Sequence, residues 1–317
     1  MRKGAIIFLQ MSRRDTPYER LPTEQPNARL RRLDTLGGLE LVDLIHAQDL
    51  EALRAVGRAR RAVADVVAAV EEALGGGGRL VYLGAGTSGR LATLDAAECP
   101  PTFGIPASRV VALMAGGPRA LRRAAEGAED SRAAGRQGVR RLAVSPPDLV
   151  CGVSASGATA FVLGGLAEAR RRECRTALIT CATAASARPH ADLVVALAVG
   201  AEAVAGSTRM KSGLAQKAVL HTISTAAMIR LGKVYDNLMV DVQPTSRKLR
   251  HRAARIVASL TGLERTPAAR LLARAGGSPK VAAVMFHRDV SRRQARALLG
   301  GSGGRLRSVI GEVIDGA

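Results

Sequence analysis

The sequence is nearly empty of aromatic residues. Three Tyr and four Phe make up 2% of 317 residues, and Trp is absent. A core of this kind is filled by Ala, Val, Leu and Ile, the residues of helices packed on a parallel sheet. The same shortage argues against sequence-tolerant binding of single strands, which relies on aromatic stacking platforms. Lysine is also scarce: six of the 47 basic residues are Lys and the rest are Arg, giving a net charge of +20. The arginines are spread along the chain rather than gathered in one basic arm. The charge therefore reads as the composition of a GC-rich genome, with no nucleic-acid partner implied.

Four Cys form no CxxC pair, and three lie in or beside strand-like segments. That usage fits free, buried thiols in a reducing compartment, so a cytoplasmic location is expected. Five His show no HxxxH or HxH spacing, and no metal site is expected. No run approaches ~18 apolar residues, which excludes a membrane-spanning helix. The opening MRKGAIIFLQMSRR has a basic start and a short apolar run. Arg13 and Arg14 follow directly, however, without a small-residue cleavage site, and Met11 is an alternative start.

What is present is a hydrophobic content of 47%, enough for one large domain and a small one. Residues 1–36 read as an N-terminal arm, extended and polar over 12–36. Apolar residues then recur at helical spacing from Leu39 to Leu74, which predicts two helices broken near Gln48. Short apolar runs at 80–83, 110–114, 149–153, 177–180 and 193–197 alternate with helical patterns at 88–98, 118–134, 159–172 and 207–230. This alternation predicts an α/β fold, a parallel sheet with helices on both faces. Ligands of such sheets bind outside the carboxyl ends of the strands. After Pro244 the pattern changes to short helices, a small C-terminal helical domain.

Gly84-Ala85-Gly86-Thr87-Ser88-Gly89 follows the first strand and opens a helix. It matches GxGxxG, yet a dinucleotide site also needs an acidic residue at the end of the second strand. That strand ends Met114-Ala115-Gly116-Gly117, with no acid. Glycines and a helix N-terminus still favour an anion here, with Thr87 and Ser88 adding hydroxyl donors. A plain turn capped by Ser88 is the alternative.

Ser154-Ala155-Ser156-Gly157-Ala158-Thr159 follows the third strand. One hydroxyl suffices for an N-cap; three around a glycine make a phosphate cradle. Two hydroxyl-rich loops on adjacent strand ends resemble the sugar isomerase (SIS) fold, in which SxSGxT is the phosphosugar signature. Gly206-Ser207-Thr208-Arg209-Met210-Lys211 opens the long helix after the fifth strand. Its N-terminus, with Arg209 and Lys211, is a candidate for a second anion; the alternative is a capped helix with exposed bases.

Two prolines follow Glu98 in Asp95-Ala96-Ala97-Glu98-Cys99-Pro100-Pro101 and are expected to stop the helix there. Glu98 then sits at the negative end of a helix dipole, a place chosen for chemistry rather than stability. Glu126 and Glu129 share a face at helical spacing, and the residues alone do not choose between them.

The segments GRLVYLGAGTSGRLATLDAAECPPTFG, AGGPRALRRAAEGAEDSRAAG, VSASGAT, AGSTRMKSGLAQK and LGKVYDNLMVDVQPTSRKL resemble the N-acetylmuramic acid 6-phosphate etherase family. A weaker match is PTEQPNARLRRLDTL. The resemblance implies a SIS-type domain over 67–230, a helical lead-in over 37–66 and a UBA-like C-terminal helical domain over 231–317. It implies catalytic carboxylates at Glu98 and Glu129. Substrate would be bound by Gly86, Thr87, Ser88, Ser154, Ser156, Gly157, Thr159, Ser207, Arg209 and Lys211. It further implies cleavage of the C3 lactyl ether of a phosphorylated amino sugar, by elimination and water addition. It implies as well that neither metal nor organic cofactor is needed, and that the assembly is a homodimer with shared sites.

Several positions depart from the family pattern. Ala158 stands where the family has Arg, Ala182-Thr183 where it has Asn-Pro, Leu214 and His221 where it has Thr and Asn, and Asp236 where it has Gly. The arm lacks the family's Arg-Asn-Pro. A non-catalytic phosphosugar-binding regulator, like the glucokinase regulatory protein, is the main alternative; retention of Glu98 and Glu129 argues against it. An aldose–ketose isomerase needs no acid at C3, and a SIS-type transcription regulator needs a DNA-binding module that residues 39–74 do not supply.

Overall fold

In a computed structural model, residues 22–244 and 246–313 are described. Met11 and the first part of the arm lie outside the described residues. Five parallel strands form one sheet: β1 (Leu80–Gly84), β2 (Val110–Met114), β3 (Leu149–Ser154), β4 (Arg175–Thr180) and β5 (Leu193–Ala196), in the order β2-β1-β3-β4-β5. Order reverses between β1 and β3, which pair directly with Gly84 opposite Val153. At such a switch point the following loops splay apart and leave a crevice.

Alternate strand residues face opposite layers. Leu80, Tyr82, Leu149, Cys151, Ala177 and Ile179 pack with α1 (Gly38–Arg58), α2 (Arg60–Gly75), α3 (Gly86–Phe103) and α7 (Lys211–Arg230). Val81, Leu83, Val150 and Leu178 pack against α4 (Arg132–Arg141) and α5 (Ala160–Arg171). Both faces are therefore covered, which is why the strands read as continuous apolar runs. The short α6 (Ala184–Ala187) lies between β4 and β5.

A separate apolar cluster runs from Tyr235 to Val309. It is built by α8 (Arg247–Thr261), α9 (Arg265–Arg274), α10 (Pro279–Arg288), α11 (Arg292–Gly301) and α12 (Leu306–Ile310). Lys280 joins this cluster to the end of α7. Its buried Nζ donates to Asp241 Oδ2 at 2.6 Å and to the carbonyls of Gly232 and Gly304 at 2.9 and 2.8 Å. Burial lowers the Lys280 ammonium from its usual range, against the opposing pull of Asp241.

Four local expectations are corrected. The break in the lead-in helices lies at Ala59, not near Gln48. Gln48 is a buried residue inside α1 whose amide oxygen is satisfied by Lys211. The prolines do not stop α3 after Glu98; the helix runs to Phe103, which is buried, and ends on Gly104 at φ 66°. A proline lacks an N–H but keeps helical φ, so a last turn held by a buried side chain tolerates it. The helix expected over 118–134 is a loop with two short 3₁₀ turns as far as Ser131, the N-cap of α4, because Gly116, Gly117 and Gly127 take positive φ. The described part of the arm is not simply extended: it forms 3₁₀ turns at Pro22–Glu24 and Leu33–Thr35. Thr23 accepts a hydrogen bond from Gly206 N at 3.0 Å.

Candidate functional site

The loop after β1 is shaped by close backbone approach. A Cβ on Gly89 would meet the backbone of Gly84 at 2.9 Å, so the first turn of α3 lies directly on the strand end. Gly86 adopts φ 52° at the bend, where glycine carries no steric penalty. Ser88 is not the N-cap, a place taken by Ala85. Instead its hydroxyl donates to Gln216 Oε1 on α7 at 2.8 Å. Gln216 is buried, and its Nε2 has no hydrogen-bond partner among the described residues. Turning that amide over would make it the donor and leave the Ser88 proton for a ligand.

The loop after β3 folds on its own hydroxyls. Ser154 and Thr159 share a hydrogen bond at 2.7 Å. The amide of Gly157 donates to Ser154 Oγ and that of Ala158 to Ser156 Oγ, both at 3.1 Å. Gly157 stands at φ 70°, and a Cβ there would meet Thr180 Oγ1 at 2.9 Å, so only glycine fits. Amides and hydroxyls grouped around a turn in this way are donors of the kind that suit an anion.

Both loops open on one cavity of about 320 Å³, lined by Ser88, Ser156, Thr159, Gly206, Thr208, Glu129, Asp130 and Glu24. A second cavity of about 190 Å³ adjoins it across Glu129, lined by Arg90, Glu126, Gly86, Met114 and six alanines. Among the described residues, Glu129 is the side chain common to both. Among the described residues, no group of three or more His, Cys, Asp or Glu is placed to hold a metal ion. None of the described helices is long and apolar enough to cross a membrane.

Residues 61–170 match the glucokinase regulatory protein N-terminal SIS domain family. A Synechocystis sp. protein named N-acetylmuramic acid 6-phosphate etherase is 45% identical over 290 residues, 92% of this chain and 95% of its own length. One from Yersinia pestis with the same name is 46% identical over 290 residues, covering 92% and 98%. The chain belongs to the N-acetylmuramic acid 6-phosphate etherase family. Among solved structures, a phosphoheptose isomerase from Francisella tularensis aligns with TM-score 0.47 and 15% identity, covering 61% of this chain and all of that one.

Against the etherase pattern, the structure gathers Ser88, Ser156, Thr159 and Glu129 around one cavity, with Ser154 and Gly157 supporting it. Gly86 lines the second cavity, while Thr87 packs beside Gly213. Glu98 is elsewhere. It is exposed on α3 twelve residues after Gly86, about 18 Å along the axis, and lines neither cavity of its own chain. Asp95, one turn earlier, is held by Tyr82 Oη and Ser224 Oγ, both at 2.9 Å. Burial raises its carboxyl above the usual range, and these two donors oppose the rise.

The segment 206–211 departs from expectation. The long helix starts at Lys211 rather than Ser207, and its first N–H groups are already capped. Buried Glu202 accepts from Lys211 N at 2.8 Å and from Ser212 N at 2.9 Å. Lys211 Nζ turns away from the cavities to Gln48 Oε1 at 3.0 Å, Glu51 Oε2 at 3.3 Å and the Ala201 carbonyl at 3.1 Å. Arg209 is exposed, and neither it nor Ser207 lines either cavity. An anion-binding helix terminus is thus satisfied internally by a carboxylate. Sequence reasoning missed Glu24, Asp130, Gln216 and Arg90. Glu24 is brought in by an arm with no periodicity, and Gln216 reads as one more polar residue on a helix.

Proposed function

We propose that this chain cleaves the C3 D-lactyl ether of N-acetylmuramic acid 6-phosphate, releasing D-lactate and N-acetylglucosamine 6-phosphate. The observation that carries the reading is the position of Glu129, at the junction of a hydroxyl-lined phosphate cradle and a second, smaller cavity. With the phosphate in the Ser154–Thr159 loop, the open-chain sugar extends toward Glu129. Its C2 proton is acidified by the C1 aldehyde, and Glu129 takes it. The C3–O bond then breaks, Glu98 protonates the departing lactate oxygen, and an unsaturated aldehyde remains. Water, deprotonated by the same Glu98, adds at C3, and the proton on Glu129 returns to C2.

Because Glu98 lines neither cavity of its own chain, the reading includes a homodimer in which the partner subunit supplies that carboxylate. The outer face of α1 supports this. Leu39, Val42, Leu50 and Leu53 are exposed there, opposite the buried Gln48, Ala52 and Ala55. Apolar stripes of this kind mark self-complementary contacts. The reading also takes in the division into arm, lead-in, SIS domain (67–230) and C-terminal helical domain (231–317). It places the enzyme in the cytoplasm, where phosphorylated sugars and the four free buried cysteines fit.

The test is lactate release from N-acetylmuramic acid 6-phosphate by purified protein in oxygen-18 water. Label at C3 of the sugar is expected. Label in lactate would reject elimination and hydration. Phosphosugar binding without any turnover would leave the regulatory alternative.

A further inference from the structure

The substrate of that reaction carries two anions, the 6-phosphate and the lactyl carboxylate, and the hydroxyl-lined loops account for one. The helix terminus at Lys211 does not accept the other, since Glu202 caps it and Lys211 Nζ is held by α1. Among the described side chains lining the two cavities, Arg90 is the only cation. We propose that Arg90 receives the carboxylate of the C3 lactyl group, making the alanine-lined cavity the subsite that distinguishes a lactyl ether from a plain hydroxyl. This inference rests on the proposed function.

Three features place Arg90 for the task. It stands in the first turns of α3, four residues beyond the bend at Gly86, so the backbone that shapes the phosphate loop also fixes the arginine. Its Nε donates to the Leu121 carbonyl at 3.3 Å, which orients the guanidinium against the loop that carries Glu129. Among the described residues no carboxylate pairs with it, although Glu126 lines the same cavity. The terminal N–H pairs therefore keep the planar fork that matches a carboxylate. The cavity walls, Met114, Ala115, Ala120 and Ala125 among them, suit the lactyl methyl group. Glu126 opposes any second free carboxylate, so removing Arg90 turns the subsite from accepting to repelling.

The position also bears on the reaction. Lactate leaves from C3 while Glu129 works at C2, so a group gripping the carboxylate holds the C3–O bond in one orientation during departure. Arg90 thereby acts on substrate binding and on leaving-group alignment, without exchanging a proton.

The experiment compares Arg90→Gln and Arg90→Lys with the unmodified protein, using two ligands. N-acetylmuramic acid 6-phosphate is followed by lactate release, and by calorimetric binding in a Glu129→Gln background. N-acetylglucosamine 6-phosphate, which lacks the carboxylate, is followed by binding alone. R90Q is expected to lower kcat/KM and affinity for the lactyl sugar by about 30-fold or more, the effect of one charge-assisted pair. Binding of the lactate-free sugar should stay within about threefold, which also certifies the fold; R90K, which keeps the charge but not the fork, should fall between. Equal losses for both ligands, or no loss for either, overturn the assignment. If the unmodified protein releases no lactate, the proposed function fails by itself. The binding ratio between the two sugars still reads the role of Arg90.

Discussion

Lys211 Nζ donates to Gln48 Oε1 across 3.0 Å, tying the first turn of α7 to the middle of α1. Both residues are buried. The same amide oxygen accepts from Asn27 Nδ2 at 3.4 Å, so the pair also fixes the arm that carries Glu24 to the cavity. A lysine that sequence logic assigns to the substrate is, in the fold, the node of an internal network.

Lys211→Met should therefore act on stability first. It strips Gln48 Oε1 and the Ala201 carbonyl of their shorter donor, leaving each the 3.4 Å bond from Asn27 Nδ2, at a cost of about 1–3 kcal/mol. For a chain of this size that lowers Tm by about 1.5–5 degrees. KM for the phosphosugar, measured well below the transition, should change less than about threefold. A large rise in KM with an unchanged Tm would return Lys211 to the binding site.

The separation of Glu98 from Glu129 within one chain makes a mixing experiment decisive. Glu98→Gln and Glu129→Gln are each expected to be inactive. When the two are unfolded together and refolded, the proposed dimer predicts mixed pairs in which one shared site carries both changes and the other carries neither. Activity should return to about a quarter of the unmodified level, from statistical pairing of two chains. No recovery, with mixed dimers shown by mass spectrometry, would put both carboxylates in one chain.

Gly157→Ala tests the phosphate loop. A left-handed φ and a Cβ contact at 2.9 Å to Thr180 Oγ1 oppose any side chain there. The strain is about 1–2 kcal/mol, and the loop must shift to relieve it. Phosphosugar affinity should drop by at least tenfold while far-UV circular dichroism is retained. Normal affinity would mean that the loop amides do not grip the phosphate.

The strand ends and both hydroxyl loops are legible in the sequence, because strands buried on two faces leave unbroken runs of Val, Leu and Ile closed by glycine and serine. The segment 117–131 is not. Its Ala and Arg have helical propensity, but positive φ at Gly117 and Gly127, and at Gly116 just before, turns it into the loop that presents Glu129. Arg90 was visible only as the residue after a glycine motif; its meaning depends on the Leu121 carbonyl, thirty-one residues away. The capping role of Glu202 is equally non-local, since nothing in the sequence shows that a carboxylate returns to the start of α7.

The cysteines give a pH dependence with a definite sign. Burial pushes the thiols of Cys99, Cys151 and Cys181 up to about 12 and that of Cys174 to about 11. In the unfolded chain they ionise near ~8.5. Below that value their contribution to stability is fully present. As pH rises beyond it, the unfolded chain releases protons that the native one retains, so stability falls until the folded values are reached. Urea midpoints should decline from pH 8 to 10.5, less steeply in Cys151→Ala. Iodoacetamide should label the unfolded chain and spare the native one at pH 8; prompt labelling of native protein contradicts the burial argument.

Asp236 supplies the last prediction. It adopts φ 49°, a left-handed conformation at the turn closed by the Tyr235–Leu238 hydrogen bonds. Aspartate is among the side chains that tolerate this region best, and its carboxylate pairs with Arg307, itself stacked on the Tyr235 ring at 4.6 Å. Asp236→Gly relieves the backbone but gives up an exposed ion pair worth about 0–1 kcal/mol and loosens the unfolded chain, so its stability should lie close to the unmodified protein. Asp236→Ala loses both the pair and the side chain's local tolerance, and should be the least stable of the three by about 1 kcal/mol. Thermal denaturation of the set decides it: an alanine variant as stable as the aspartate form would show that the turn relaxes.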